Sequence, residues 1–132
     1  MIYLIDTNII IFALKDPQRA VARRLAAIST DEIVLASVVE AELYHGAEKY
    51  ARAEQRRETL AGFLALYQRL PFDSRCVPHY ARIRHHLELQ GQIIGANDLM
   101  VAATALAHGL TLITRNSDEF ARVPGLLWED WA

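Results

Sequence analysis

Apolar residues run unbroken from Ile2 to Ile5 and stop at Asp6-Thr7-Asn8. A short stretch that is apolar at every position predicts a strand buried on both faces, as at the centre of a parallel sheet. The polar trio then caps a helix that runs to about Leu14. Asp16-Pro17 pairs a capping residue with proline at a first helical position, so a second helix is expected there, with Val21, Leu25 and Ile28 as its apolar stripe. Glu32 to Ala36 is strand-like, and Ser37 is placed to cap a helix towards Tyr50. A further helix from about Arg52 to Tyr67 puts Leu60, Phe63, Leu64 and Tyr67 on one face.

Arg69 to Phe72 is a short strand candidate, and Asp73 or Ser74 caps the next helix, which carries Val77, Tyr80, Ile83 and Leu87 and ends near Gly91. Gly95 breaks the chain before a helix bearing Leu99, Ala102, Ala103, Leu106 and Ala107, which Gly109 stops. Leu110 to Thr114 is another buried strand; Pro124-Gly125 makes a turn, and Leu126 to Trp128 is placed as an edge strand. Strands alternating with helices predict an α/β domain with a mainly parallel sheet flanked by helices.

The length of 132 residues, with 52% hydrophobic positions, suits one domain spanning residues 1–132. A single cysteine, Cys76, forms no internal disulfide, and a reducing cytoplasm is the expected compartment. The start, Met1-Ile2-Tyr3, shows no signal-peptide pattern, and no apolar run approaches the ~18 residues of a membrane span. The net charge of −2 is not that of a generic nucleic-acid binder. Among the 14 basic residues, however, only Lys15 and Lys49 are lysines. Arginine recurs at Arg19, Arg23, Arg24, Arg52, Arg56, Arg57, Arg82 and Arg84, a side chain suited to bidentate phosphate recognition. Taken together they suggest a phosphate-facing rim; taken singly, each also fits a solvated helix face.

The acids change the picture more. Asp6 follows directly on a predicted strand, as do Asp118 and Glu119 beyond Leu112-Ile113-Thr114-Arg115-Asn116. Glu42 lies early in a helix that itself follows a strand, and Asp98 opens another helix. In open parallel sheets ligands bind beyond the carboxyl ends of strands, so this fold class would bring these acids to one edge. Carboxylates gathered without a cation repel one another, and a hard divalent ion relieves that repulsion. The chemistry implied is metal-assisted phosphodiester cleavage. Asp6 and Asp98 could instead serve only as caps, but Thr7 and Asn8 beside the one and Asn97 beside the other would cap as well. Glu40 and Glu42 lie about 200° apart on a helix, so only one faces the edge, and spacing leaves open which. Asp118 and Glu119 are likewise unresolved. The histidines lack ligand spacing; adjacent His85 and His86 diverge by about 100° on a helix. Trp128 and Trp131 read as a packed anchor near the C-terminus.

These segments, in this order and at these separations, resemble the PIN-domain ribonucleases, and within them the VapC toxins of bacterial toxin–antitoxin pairs. The likeness spans the chain: Ile5-Asp6-Thr7-Asn8, Glu42-Leu43-Tyr44-His45-Gly46-Ala47, Gly95-Ala96-Asn97-Asp98, Leu112-Ile113-Thr114-Arg115-Asn116 with Glu119-Phe120, then Val123-Pro124-Gly125-Leu126 and Glu129-Asp130-Trp131. The resemblance selects Glu42 over Glu40, since the family's second acid precedes Leu and a nearby Gly-Ala. It selects Glu119 over Asp118, since the last acid stands before the Phe. It implies an endoribonuclease acting on tRNA or rRNA, Mg²⁺ or Mn²⁺ held chiefly by Asp6 and Asp98, and Glu42 and Glu119 as the other catalytic acids. Thr7, Asn8, Thr114 and Asn116 would supply hydrogen bonds to the carboxylates and the scissile phosphate. It further implies a homodimer and inhibition by a cognate antitoxin whose tail covers the site. The competing expectation is a catalytically silent PIN-like module that binds RNA or a partner; an intact acidic set argues against it. A structure-specific DNA nuclease is a third, and a chain this short lacks the extra elements needed to grip a duplex.

Overall fold

Leu4 and Ile5 are neighbours, so their side chains leave a strand on opposite faces, yet neither is exposed at all. The same holds for Val34 and Leu35 and for Leu112 and Ile113. Both faces of the sheet are therefore covered, as the apolar runs require. The computed structural model describes residues 1–131. Strands β1 (Tyr3–Ile5), β2 (Ile33–Ala36), β3 (Gln68–Leu70), β4 (Thr111–Ile113) and β5 (Trp128–Glu129) form one sheet in the order β3-β2-β1-β4-β5. Every pairing is parallel, with Tyr3 opposite both Ile33 and Thr111. The covering helices are α1 (Thr7–Lys15), α2 (Ala20–Ala27), α3 (Ser37–Glu48), α4 (Ala53–Leu64), α5 (Val77–Leu89), α6 (Ala96–His108) and the short α7 (Ser117–Phe120).

The topology makes a crevice. From β1 the chain steps outward to β2 and then β3; from β4, on the other side of β1, it steps outward to β5. The connections leaving neighbouring β1 and β4 thus diverge, and the gap beyond their carboxyl ends is the switch point where open sheets bind ligands. Helix α6 delivers a further side chain there. It is apolar almost all round, with Leu99, Val101, Ala102, Ala103 and Ala105 buried, so it lies within the core. It stops at Gly109, whose φ of 63° is the left-handed conformation that favours glycine, and turns straight into β4. It therefore runs against β4, and its first turn, with Asp98, lies at the carboxyl edge.

Several local expectations are corrected. Asp16 does not start a helix at Pro17: its carboxylate accepts from the Gln18 N–H at 3.0 Å, closing a turn, and α2 begins only at Ala20. Ser37 is the first residue of α3 rather than its cap; the cap position is Ala36, without a side-chain bond. Asp73 likewise accepts from the Arg75 N–H in a turn that leads to Cys76, the residue before α5. Helix α4 ends at Leu64, where Leu66 and Tyr67 close tighter turns, because β3 begins at Gln68 to pair with Val34. The last strand is shifted to Trp128–Glu129.

Trp131 is buried, edge-on to Tyr3 with ring centroids 5.0 Å apart, and carries the Arg24 guanidinium 4.7 Å from its ring. It ties the end of the described chain to its first strand, as an anchor should; ring pairs of this kind add about 0.5–1.5 kcal/mol beyond area burial. Cys76 is buried and has no disulfide partner. No helix among the described residues is long and apolar enough to cross a membrane.

Candidate active site

Asp6 leaves the end of β1 and caps α1, its Oδ1 accepting the Thr7 N–H at 2.8 Å. Its backbone N–H donates to the Ile113 carbonyl at 2.8 Å, so the parallel ladder itself fixes the residue beside β4. The Thr114 hydroxyl, one residue past β4, donates to Asp6 Oδ2 at 2.7 Å and accepts the Asn116 N–H at 2.9 Å. The Asn116 amide then donates to Glu119 Oε2 at 3.1 Å on α7. From the other side the Thr7 hydroxyl donates to Glu42 Oε1 at 2.9 Å on α3. Asn8 Oδ1 receives the Arg115 backbone N–H at 3.4 Å. One hydrogen-bonded chain thus runs Glu42–Thr7–Asp6–Thr114–Asn116–Glu119. Asp98, at the head of α6, is within hydrogen-bonding reach of Glu119 and feels the charges of Asp6, Glu119 and Glu42.

The topology therefore brings together Asp6, Glu42, Asp98 and Glu119, with Thr7, Asn8, Thr114 and Asn116 interleaved. Glu40 is elsewhere: its carboxylate pairs with Arg69 Nε at 3.2 Å, over β3. Asp118 is exposed while Glu119 is half-buried. The Thr and Asn side chains hold carboxylates, and Asn8 holds the Arg115 backbone. The arginines fit a rim less well. Arg24, Arg57 and Arg84 pair with Glu129, Glu48 and Glu88, and the Arg82 Nε donates to the Pro78 carbonyl. Missed at the level of sequence was Arg115, whose position between Thr114 and Asn116 was the available signal.

None of the four clustered acids takes part in an ion pair among the described residues. The Asp98 carboxyl is pushed up to about 7, first by burial, then by a hydrogen bond shared with Glu119 and by the charges of Asp6, Glu119 and Glu42. Asp6 is also raised, chiefly by burial; its bonds from Thr114 and Thr7 pull the other way. Among the described residues no three acidic, histidine or cysteine side chains form a ready-made metal cage. An all-oxygen, over-charged donor set of this kind fits a Mg²⁺-like ion, which takes one or two carboxylates and keeps its waters. It does not fit a closed zinc site.

A parallel sheet of this order with an uncompensated acidic crevice at β1 and β4 defines the class, and the PIN domain family model matches residues 3–126. The chain belongs to that family. It is 37% identical over 132 residues to the ribonuclease VapC2 of Rickettsia felis, covering 99% of this chain and 98% of that one. It is 35% identical over 130 residues to the tRNA(fMet)-specific endonuclease VapC of Shigella flexneri, covering 98% of each. Its fold superposes on the crystal structure of VapBC2 from Rickettsia felis bound to a promoter DNA fragment with a TM-score of 0.93, at 36% identity and full coverage of both chains.

Proposed function

We propose that this chain is a divalent-metal-dependent endoribonuclease and the toxin of a toxin–antitoxin pair. The observation that carries the nuclease reading is the crevice itself: four acids at the carboxyl edge of β1 and β4, three of them linked through Thr7, Thr114 and Asn116 and the fourth, Asp98, within reach of Glu119, and none of them ion-paired among the described residues. The curated relatives named ribonuclease or tRNA endonuclease support it over the whole chain. Mg²⁺ or Mn²⁺ held by Asp6 and Asp98 would lower the pKa of water and polarise the scissile phosphate. Asp6 is oriented for this by two fixed donors, the Thr7 N–H and the Thr114 hydroxyl, and Asp98 must give up its proton to take part. Glu42, aimed by the Thr7 hydroxyl, would take the proton from the attacking water. Glu119, steered by Asn116, would complete the donor set or receive the Asp98 proton. The test is incubation of purified protein with tRNA and rRNA. Cleavage is expected with Mg²⁺ or Mn²⁺ and none in EDTA; intact RNA in both would overturn the reading.

The partner reading rests on a second observation. A groove of about 360 Å³ runs between α1, α3 and α4, floored by Ile11, Leu14, Leu43, Ala47 and Leu60 and closing on Glu42. Ile11 and Leu14 are exposed in it, as is Tyr50 at its edge. An amphipathic helix fits such a groove by its apolar face, and the solved relative VapBC2 is itself a two-component assembly. The groove would take the antitoxin, whose tail then reaches the acids. Other apolar surface beside the α3–α4 hairpin, such as Leu66 at 58% exposure, would be covered in a homodimer. Light scattering of the isolated chain is expected to give twice the monomer mass. Co-expression with the product of a short reading frame, where one is found directly upstream, should suppress both growth arrest and RNA cleavage. A monomer that is harmless alone and indifferent to that product would sink the toxin reading and leave the nuclease reading standing.

A further inference from the structure

Phe12 carries two guanidinium groups. The Arg115 Cζ lies 4.9 Å from the centroid of its ring, and the Arg19 Cζ also lies 4.9 Å from it. The two charges are therefore no further apart than twice that distance. Each arrives from a fixed backbone. Asn8 and Phe12 are one turn apart on the same face of α1, and Asn8 Oδ1 receives the Arg115 N–H, so Arg115 runs along that face from one to the other. Arg19 is aimed back by the Asp16 turn, its N–H donating to the Asp16 carbonyl at 3.1 Å.

Neither arginine forms an ion pair among the described residues, although Arg24, Arg57, Arg69 and Arg84 all do. This matters most for Arg115. Its neighbours Thr114 and Asn116 are bonded to Asp6 and Glu119, so an over-charged acidic cluster lies one residue away on either side. A free guanidinium there would be drawn to the carboxylates. Stacked on Phe12, it stays beside them without pairing with them, on an exposed residue. RNA entering the crevice must bring phosphates towards four acids, and a pair of unneutralised cations at the rim answers that need.

We propose that Arg19 and Arg115, held by Phe12, form a phosphate subsite for single-stranded RNA beside the acidic crevice, binding phosphodiesters next to the scissile one. These are positioning residues, not catalytic ones, and the proposal rests on the nuclease reading of the crevice. The ring is the organising element: it orients both guanidiniums with little cost in side-chain freedom, and leaves their planar forks for phosphate oxygens.

The test uses the full chain with a fluorescently labelled single-stranded RNA, in EDTA, from about 50 to about 200 mM salt. The double variant Arg19→Gln/Arg115→Gln is expected to bind roughly tenfold more weakly. The slope of log affinity against log salt should fall by about 1.4, since each phosphate contact on a single strand contributes about 0.7. With metal present, KM should rise while kcat stays within about twofold, because the chemistry is untouched. The charge-retaining Arg19→Lys/Arg115→Lys variant should keep most of the salt slope, and melting curves of all variants exclude loss of fold. Unchanged affinity and slope in the glutamine variant would overturn the proposal, and so would an equal loss in the lysine variant. Binding lost only towards an acidic segment of the antitoxin, with RNA binding intact, would also overturn it. Wild-type protein that binds RNA with a steep salt slope but never cuts it would overturn the nuclease reading and leave the subsite standing.

Discussion

Asp6→Asn is expected to lower the rate of RNA cleavage by at least about a thousandfold, and Asp98→Asn by a similar factor, since each removes a charge from the donor set on which a bound cation depends. The swap keeps shape. In Asp6→Asn the new amide oxygen would still accept the Thr7 N–H, and the Thr114 hydroxyl can turn to accept from the amide nitrogen instead of donating. The fold should therefore survive, with unchanged circular dichroism. The internal control is Glu40→Gln. Glu40 pairs with Arg69 at 3.2 Å over β3, an interaction worth about 0–1 kcal/mol at a partly exposed site, and its loss should leave activity within about twofold. Glu42→Gln should behave like the two Asp variants, because the Thr7 hydroxyl holds Glu42 against the crevice. Activity that survives Glu42→Gln but is lost in Glu40→Gln would show that the wrong face of α3 has been assigned to the chemistry.

The contrast between Glu40 and Glu42 shows where periodicity stops being informative. Periodicity alone could say that only one of them faces the sheet edge; the motif around Glu42 selected it, and the position of β3, and hence of Arg69, shows where Glu40 goes instead. The central strands were legible because burial on both faces leaves a nearly continuous apolar run, as in Ile2 to Ile5 and Leu110 to Ile113. Asp6 was legible for the same reason: a carboxylate at the end of such a run is placed by the sheet, not by local preference. Capping was read less well. Asp16 and Asp73 look like helix caps, but each carboxylate closes a turn on the N–H two residues on, and the helices start later. Local hydrogen bonding competes with helix initiation, and residue identity does not reveal which wins. The arginines were hardest. Whether a guanidinium meets a glutamate, a carbonyl or an aromatic ring depends on contacts between elements far apart in sequence. So Arg57 reads the same as Arg19 along the chain, yet one is paired with Glu48 and the other rests on Phe12.

The acids also set how stability should respond to pH and metal. Asp98 has a folded-state value of about 7 against an ordinary 3.8, and Asp6 is shifted in the same direction. A carboxyl raised on folding binds its proton more tightly in the folded state. Its contribution to stability is complete below its unfolded value near 3.8 and is lost as pH rises through about 7. In EDTA, then, the crevice should destabilise the protein progressively between those limits, as charge accumulates with nothing to balance it. Adding Mg²⁺ is expected to supply the balance. At a concentration about one hundred times its Kd, an ion that binds only the folded state stabilises by about 2.7 kcal/mol. For a domain of this size that is a rise in melting temperature on the order of 10 °C. The gain should be largest near pH ~8 and should shrink towards pH ~5, where protons compete for the same oxygens. Asp98→Asn should flatten the EDTA profile between pH ~4 and pH ~7 and reduce the metal effect together, because the same carboxyl contributes to both. Scanning calorimetry across pH, with EDTA and then with millimolar Mg²⁺, measures all of these. A melting temperature indifferent to the ion under mildly alkaline conditions, or an Asp98→Asn variant that keeps the full pH slope, would mean that the four carboxylates are not coupled in the way their geometry requires.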